Sequence, residues 1–245
     1  MLKLAVIGDP VAHSASPALH REFLSAASLA GTYEAIRVGA GDGGRTIDEL
    51  RAAGYTGLNV TTPLKEEAFA RADEREPIAL AAGAVNTLVL GPRVLGYNTD
   101  GLGTLAALRT AGLTDFVASR VLVLGGGPAA RAAVTALSAA GAIVWVWNRS
   151  QPKADAMVRD LRARPWTAGQ VPDAVFATLA PDVRFSDAAL VASLVAAPIV
   201  VDANYGPRAT LGAVLERYVV DGAAMLAASA RASFEIFRLA YEPMT

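Results

Sequence analysis

The chain has 245 residues, 53% hydrophobic and 18% charged, with 22 basic against 23 acidic side chains for a net charge of −1. That balance describes a soluble globular protein, long enough for two small domains or one large α/β unit, that attracts neither nucleic acid nor an anionic membrane. The absence of cysteine and the presence of only two histidines, His13 and His20, exclude disulfides, thiolate zinc sites and a catalytic cysteine.

Met1 to Leu4 enters a strand directly, with no signal-peptide pattern, and the apolar runs break well short of the roughly 18 residues a membrane span needs, so cytoplasmic residence is expected. Lys3 to Ile7 reads as a short strand. Ser16-Pro17 reads as the cap and opening of a helix to about Leu29, followed by a strand from Thr32 to Val38. Thr46-Ile47-Asp48-Glu49 has the spacing of a capping box, and Gly54 closes that helix. The loop Gly39 to Gly44 reads as a flexible connection. A third strand, Gly57 to Val60, leads to a helix from Pro63 to Ala72, with Thr62 as its expected cap. Gly83 to Leu90 and Val94 to Tyr97 read as two strands joined by the turn Gly91-Pro92, and Gly101 to Ala111 as a helix. A second series follows: strands at Val121–Leu124, Ile143–Trp147, Ala174–Ala177 and Ile199–Ala203, with helices at Pro128–Ala140 and Pro152–Arg164, then a last helix from about Met225 to Tyr241. Strands alternating with helices predict a parallel sheet covered on both faces.

Lys65 stands out because it falls in the first turn of its helix, where a cation opposes the positive end of the helix dipole; a position that breaks a local rule is where function is sought. Val121 to Leu124 runs into Gly125-Gly126-Gly127-Pro128-Ala129-Ala130, a buried strand, a glycine turn and a helix start. Gly125 and Gly127 fill the first two glycine slots of the dinucleotide fingerprint and Ala130 the third, so backbone amides would meet a pyrophosphate there. At the end of the next strand, where an NAD enzyme places an acid, the chain has Asn148 and Arg149, with Ser150 beside them and Lys153 one turn on. That set suits a 2′-phosphate, and NADP is the predicted cofactor. His13-Ser14-Ala15-Ser16-Pro17 places two hydroxyls at a helix N-terminus, which suits a substrate carboxylate. Ala84 to Thr87 puts the amide of Asn86 near a strand, and Tyr97 to Gly101 puts Asp100 at a helix start. Each could be merely a cap or a structural polar group when taken singly.

Together these segments resemble the shikimate dehydrogenase family. The resemblance rests on Gly8 to Pro17, Asn59 to Ala68, Ala82 to Thr87, Asn98 to Gly101, the glycine turn, Asn148 to Ser150 with Lys153, and Asp221 to Leu226, and covers nearly the whole chain. It implies an N-terminal α/β substrate domain and a Rossmann-type NADP domain, with the substrate domain spanning 1–100, the nucleotide domain 101–222, and helix 223–245 returning to the first. The implied activity is the reversible NADPH-dependent reduction of 3-dehydroshikimate to shikimate, a step of aromatic amino acid biosynthesis. By that resemblance Lys65 would transfer the proton, with Asp100 as its catalytic partner. Ser14 and Ser16 would hold the substrate carboxylate with Thr61 nearby, and Asn59, Asn86 and Asp100 would meet ring hydroxyls. Tyr205 would lie near substrate and nicotinamide. Gly125, Gly126, Gly127, Pro128, Ala129, Asn148, Arg149, Ser150 and Lys153 would bind the nucleotide, with no metal. Ser229 stands where the family usually has a substrate-contacting glutamine, and Phe176 to Pro181 replaces an Asn-Ala-Thr motif. The alternatives are a paralogue acting on quinate or an aminoshikimate-type acid, or a non-catalytic NADP-binding regulatory protein. Monomer and homodimer are both open.

Overall fold

A computed structural model of the chain describes residues 1–241, and residues 242–245, the end of the expected last helix, lie outside the described residues. The chain divides into two compact units, one made of Met1–Thr99 with Ala227–Thr245 and the other of Asp100–Leu226.

The first unit contains β1 (Leu2–Gly8), α1 (Ser16–Ala26), β2 (Gly31–Arg37), α2 (Gly43–Ala52), β3 (Gly57–Val60), α3 (Lys65–Arg71), β4 (Glu74–Arg75), α4 (Pro77–Ala82), β5 (Thr87–Leu90) and β6 (Val94–Tyr97). Its six-stranded sheet has the order β2-β1-β3-β5-β6-β4. β1 pairs parallel with β2 and β3, whereas β5 is antiparallel to both β3 and β6, so the sheet is mixed rather than wholly parallel. A two-stranded hairpin cannot be parallel, and the short Gly91-Pro92 turn between β5 and β6 imposes that reversal. β1 is apolar from Leu4 to Gly8 and sits between two strands. β2 exposes most of its residues, as an edge strand does, and Tyr33 is its one buried side chain.

The second unit contains α5 (Asp100–Thr110), β7 (Arg120–Leu124), α6 (Pro128–Ala139), β8 (Ile143–Trp147), α7 (Gln151–Leu161), β9 (Arg164–Pro165), β10 (Ala174–Ala177), α8 (Ala188–Ala196), β11 (Ile199–Asp202), a 3-10 turn at Gly206–Arg208 and α9 (Leu211–Leu215). Its five strands are all parallel, in the order β11-β10-β7-β8-β9. Val121, Leu122, Val123 and Leu124 are all fully buried, which is the continuous apolar run of a strand covered on both faces.

The last helix, α10 (Ala223–Tyr241), starts in the second unit and from Ala227 onward belongs to the first. There Phe234 and Phe237 pack with Leu2, Leu4, Leu24 and Tyr33 on one face of the sheet, while Ile7, Leu58, Leu64 and Leu88 fill the other. Gly57 admits this packing, because a β-carbon there would come within 2.5 Å of the Phe237 ring.

Several local expectations are corrected. Thr62 does not cap a helix: the Thr62–Pro63 bond is cis, the Leu64 amide donates to the Thr61 carbonyl at 2.9 Å, and α3 begins at Lys65. Thr46 lies inside α2, with its amide donating to Asp42 O, so the capping box does not form. Glu67 of α3 supplies acceptors instead, its carboxylate taking the amides of Gly41 and Gly43 at 2.8 Å each, so the loop 39–44 is tied down rather than loose. α1 starts with Ser16 already helical after Ala15 and ends at Ala26. Gly83 to Asn86 is not strand. Asp100 belongs to the second unit as the first residue of α5.

Candidate active site and nucleotide turn

In the first unit, the ends of β1, β3 and β5 and the starts of α1 and α3 carry most of the expected substrate residues. After β1, the Asp9 amide donates to the Thr62 carbonyl at 2.9 Å, and the Thr61 amide donates to Ile7 O at 2.9 Å, which ties the β1 loop to the turn before Lys65. Further along that loop the Ser14 Oγ accepts from the Ser16 amide at 3.2 Å. Ser14 therefore does at the start of α1 what Ser16 was expected to do, while Ser16 is buried in its first turn.

Lys65 is the first residue of α3, where Glu66 and Glu67 share the first turn and offset its adverse placement. Its carbonyl accepts from the Val85 amide at 3.0 Å, joining α3 to the segment that carries Asn86. Asn59 and Asn86 are brought together: Asn59 Nδ2 donates to Asn86 O at 3.4 Å and to Thr87 Oγ1 at 3.3 Å. Asn86 is buried, its Oδ1 accepting from the Thr87 hydroxyl and the Thr99 amide, both at 2.9 Å, and its Nδ2 donating to Thr99 Oγ1 at 3.1 Å. Ser229 on α10 places its Oγ 2.7 Å from Thr99 Oγ1. Ser14, Ser16, Asn59, Thr61, Lys65, Asn86 and Ser229 thus all belong to one unit.

The sequence reading missed three supporting residues. Tyr33, buried on β2, donates from its hydroxyl to Asn59 Oδ1 at 2.8 Å. The phenol, raised well above its ordinary value by burial, stays protonated. His20 stacks on that ring, with centroids 4.2 Å apart and planes 12° from parallel, and burial pushes its imidazole down to about 3. Glu67 is the third, through the loop amides described above. A lone aromatic in a short strand otherwise made of small and polar residues was the available signal for Tyr33.

The second unit carries the remaining residues. Asp100 is buried at the start of α5, and Tyr205 precedes the 3-10 turn after β11, half-buried. β7 delivers Gly125 with φ +125°, a conformation glycine adopts without a β-carbon penalty. Its amide donates to Trp147 O at 2.9 Å, and Thr178, from the segment that departs from the family motif, donates its hydroxyl to Leu124 O at 3.0 Å beneath the turn. A β-carbon on Gly126 would meet the Asn148 amide nitrogen at 2.7 Å and Lys153 Cβ at 3.0 Å, so the turn and the start of α7 lie against each other. A β-carbon on Gly127 would meet nothing within 4 Å. That open backbone, followed by Pro128 as the first residue of the 12-residue α6 and the Ala129 and Ala130 amides, fits a pyrophosphate. Pro128 costs little there, since its missing amide hydrogen has no partner in the first turn. Arg149 is exposed just beyond β8 and makes no ion pair among the described residues; Ser150 and the exposed Lys153 flank it. The set fits a 2′-phosphorylated dinucleotide. Among the described residues no cluster of three acidic or histidine side chains could hold a metal ion.

Comparison with known proteins places the chain in a family. Residues 6–88 match the family model described as the shikimate dehydrogenase substrate binding domain. A shikimate dehydrogenase (NADP(+)) from Acidiphilium cryptum is 47% identical over 166 residues, which is 66% of this chain and 60% of that protein. The sequence match thus spans less than two thirds of such curated relatives, whereas structural matches run nearly end to end. The shikimate 5-dehydrogenase from Thermus thermophilus, solved in complex with NADP(H) and shikimate, superposes with a TM-score of 0.84 at 33% identity, covering 97% of this chain and 93% of that one. The shikimate dehydrogenase of Aquifex aeolicus gives 0.86 at 28% identity, with 99% and 94% covered. The chain belongs to the shikimate dehydrogenase family.

Proposed function

We propose that the chain is an NADP-dependent oxidoreductase interconverting 3-dehydroshikimate and shikimate. The observation that carries this reading is the grouping of Lys65, Ser14, Ser16, Asn59, Thr61 and Asn86 in one unit whose residues 6–88 match a shikimate dehydrogenase substrate-binding domain.

NADPH, when bound, supplies the hydride. Reduction turns a carbonyl into an alkoxide, and the developing charge needs a proton or a cation beside it. Lys65, half-buried at the head of α3, delivers that proton and in the reverse direction receives it. Asp100 accepts from a ring hydroxyl and serves as the second catalytic group. Ser14 and Ser16 hold the carboxylate, with Thr61 beside them, and Asn59 and Asn86 orient ring hydroxyls. Tyr205 serves the nicotinamide side. Gly125, Gly126 and Gly127 keep the turn close, the Ala129 amide after Pro128 meets the pyrophosphate, and Asn148, Arg149, Ser150 and Lys153 select the phosphorylated ribose.

The test is the nicotinamide absorbance change with shikimate and NADP. Lys65→Met keeps the side-chain length, loses the proton, and lowers kcat by about 10²–10⁴ while shikimate still binds. A variant with full kcat refutes the assignment of Lys65. Turnover lost on that substitution also disposes of a purely regulatory NADP-binding role. Ser229 favours a second reading, because its short side chain is engaged with Thr99 at 2.7 Å and a related ring acid such as quinate would suit the space left by a longer residue. A clear preference for shikimate in kcat/KM across these acids rejects it.

A further inference from the structure

Asn59 is held by three side-chain hydrogen bonds of unequal length. Its Nδ2 makes two long ones, 3.4 Å to Asn86 O and 3.3 Å to Thr87 Oγ1, while its Oδ1 takes the Tyr33 proton at 2.8 Å. An amide's two ends are nearly the same shape, so its hydrogen-bond partners alone decide which end faces where. The shortest bond comes from a hydroxyl that is buried and sits on a ring stacked against His20.

The link continues in one sense. With Thr87 Oγ1 accepting from Asn59, the Thr87 proton goes to Asn86 Oδ1 at 2.9 Å, and Asn86 Nδ2 in turn donates to Thr99 Oγ1 at 3.1 Å. Asn86 has a second constraint, the Thr99 backbone amide on its Oδ1 at 2.9 Å, so its orientation survives loss of the link. Asn59 has no backbone donor on its Oδ1 among the bonds described above, and depends on Tyr33.

We propose that Tyr33 is a positioning residue for substrate binding: its buried hydroxyl holds the Oδ1 end of the Asn59 amide in place, while the Asn86 carbonyl, which can only accept, sets which end of that amide carries the N–H. The inference rests on the shikimate dehydrogenase reading of the site. Tyr33 touches no reacting atom, so it acts on affinity and not on the chemical step.

Tyr33→Phe deletes the one oxygen and keeps the ring that stacks on His20. The expected result is a KM for shikimate, and a calorimetric Kd without nucleotide, raised about tenfold, with kcat within about twofold and KM for NADP unchanged. Asn59→Ala weakens shikimate binding by itself, and adding Tyr33→Phe to it changes KM by no more than about twofold. An unchanged shikimate KM in Tyr33→Phe overturns the proposal. So does an additive double variant, or an equal loss of NADP affinity, which would mark a general structural defect. Lack of shikimate turnover by the unaltered protein overturns both this inference and the functional reading; normal turnover with a normal Tyr33→Phe overturns this one alone.

Discussion

His20 makes the stability of the first unit depend on pH in a calculable way. The imidazole is fully buried among Phe23, Tyr33, Phe234 and Phe237, with Nε2 3.5 Å from the Ser233 hydroxyl and Nδ1 without a partner among the described residues. Burial lowers the imidazole from 6.5 to about 3. The unfolded chain therefore binds a proton at this position that the folded chain refuses between those two values. Stability falls as pH falls from 6.5 toward 3 and is unaffected by this group above that window. At pH 4.5 the unfolded imidazole is two units below its own value, which at 1.36 kcal/mol per unit costs about 2.7 kcal/mol. Carboxylates titrate in the same range, so the measurement is a difference. Denaturant unfolding at pH 7 and 4.5 is compared for the unaltered chain and His20→Phe, which fills the aromatic cluster with a ring that cannot protonate. The unaltered chain should lose about 2–3 kcal/mol more than the variant between the two pH values. Equal losses would refute the buried neutral histidine.

Two further outcomes follow from the site. Glu67→Gln leaves one carbonyl oxygen for two loop amides, so stability drops by about 1–3 kcal/mol and α3 loses part of its anchor to the glycine loop; an unchanged denaturation midpoint would show that the clamp holds nothing. Arg149→Ala removes a guanidinium suited to a 2′-phosphate, and the KM for NADP rises about tenfold or more with NAD little altered. A preserved ratio of NADP to NAD efficiency would remove Arg149 from cofactor choice.

What could be read from the chain alone was local. The run Val121 to Ala130 announces its strand, turn and helix because a doubly covered strand has to be continuously apolar and the tight turn has to be glycine. Lys65 was legible as an offence against its helix. Partnerships across the chain were not legible: Glu67 serves amides 24 and 26 residues before it, and Tyr33 serves Asn59 across the first sheet. A capping box at Thr46 was therefore expected where a remote carboxylate does the work. α8 escaped the sequence, although the strand after it was expected at Ile199–Ala203, because Leu190 to Val201 is apolar nearly throughout and a buried helix has no pattern there to set it apart from a buried strand. Thr62 misled for a related reason: a serine or threonine before proline resembles a cap whether or not the helix starts there, and here it starts at Lys65.

The placement of Phe234 and Phe237 bears on how the protein is made. The second unit is a continuous stretch, Asp100–Leu226, that can close its own sheet as soon as it has left the ribosome. The first unit, although translated earlier, keeps one face of its sheet only partly covered by α1, with Gly57 waiting for a ring that comes 180 residues later. Synthesis order and completion order are thus reversed. The half that carries Lys65 is finished last, and until α10 emerges it is the half that most needs protection from aggregation.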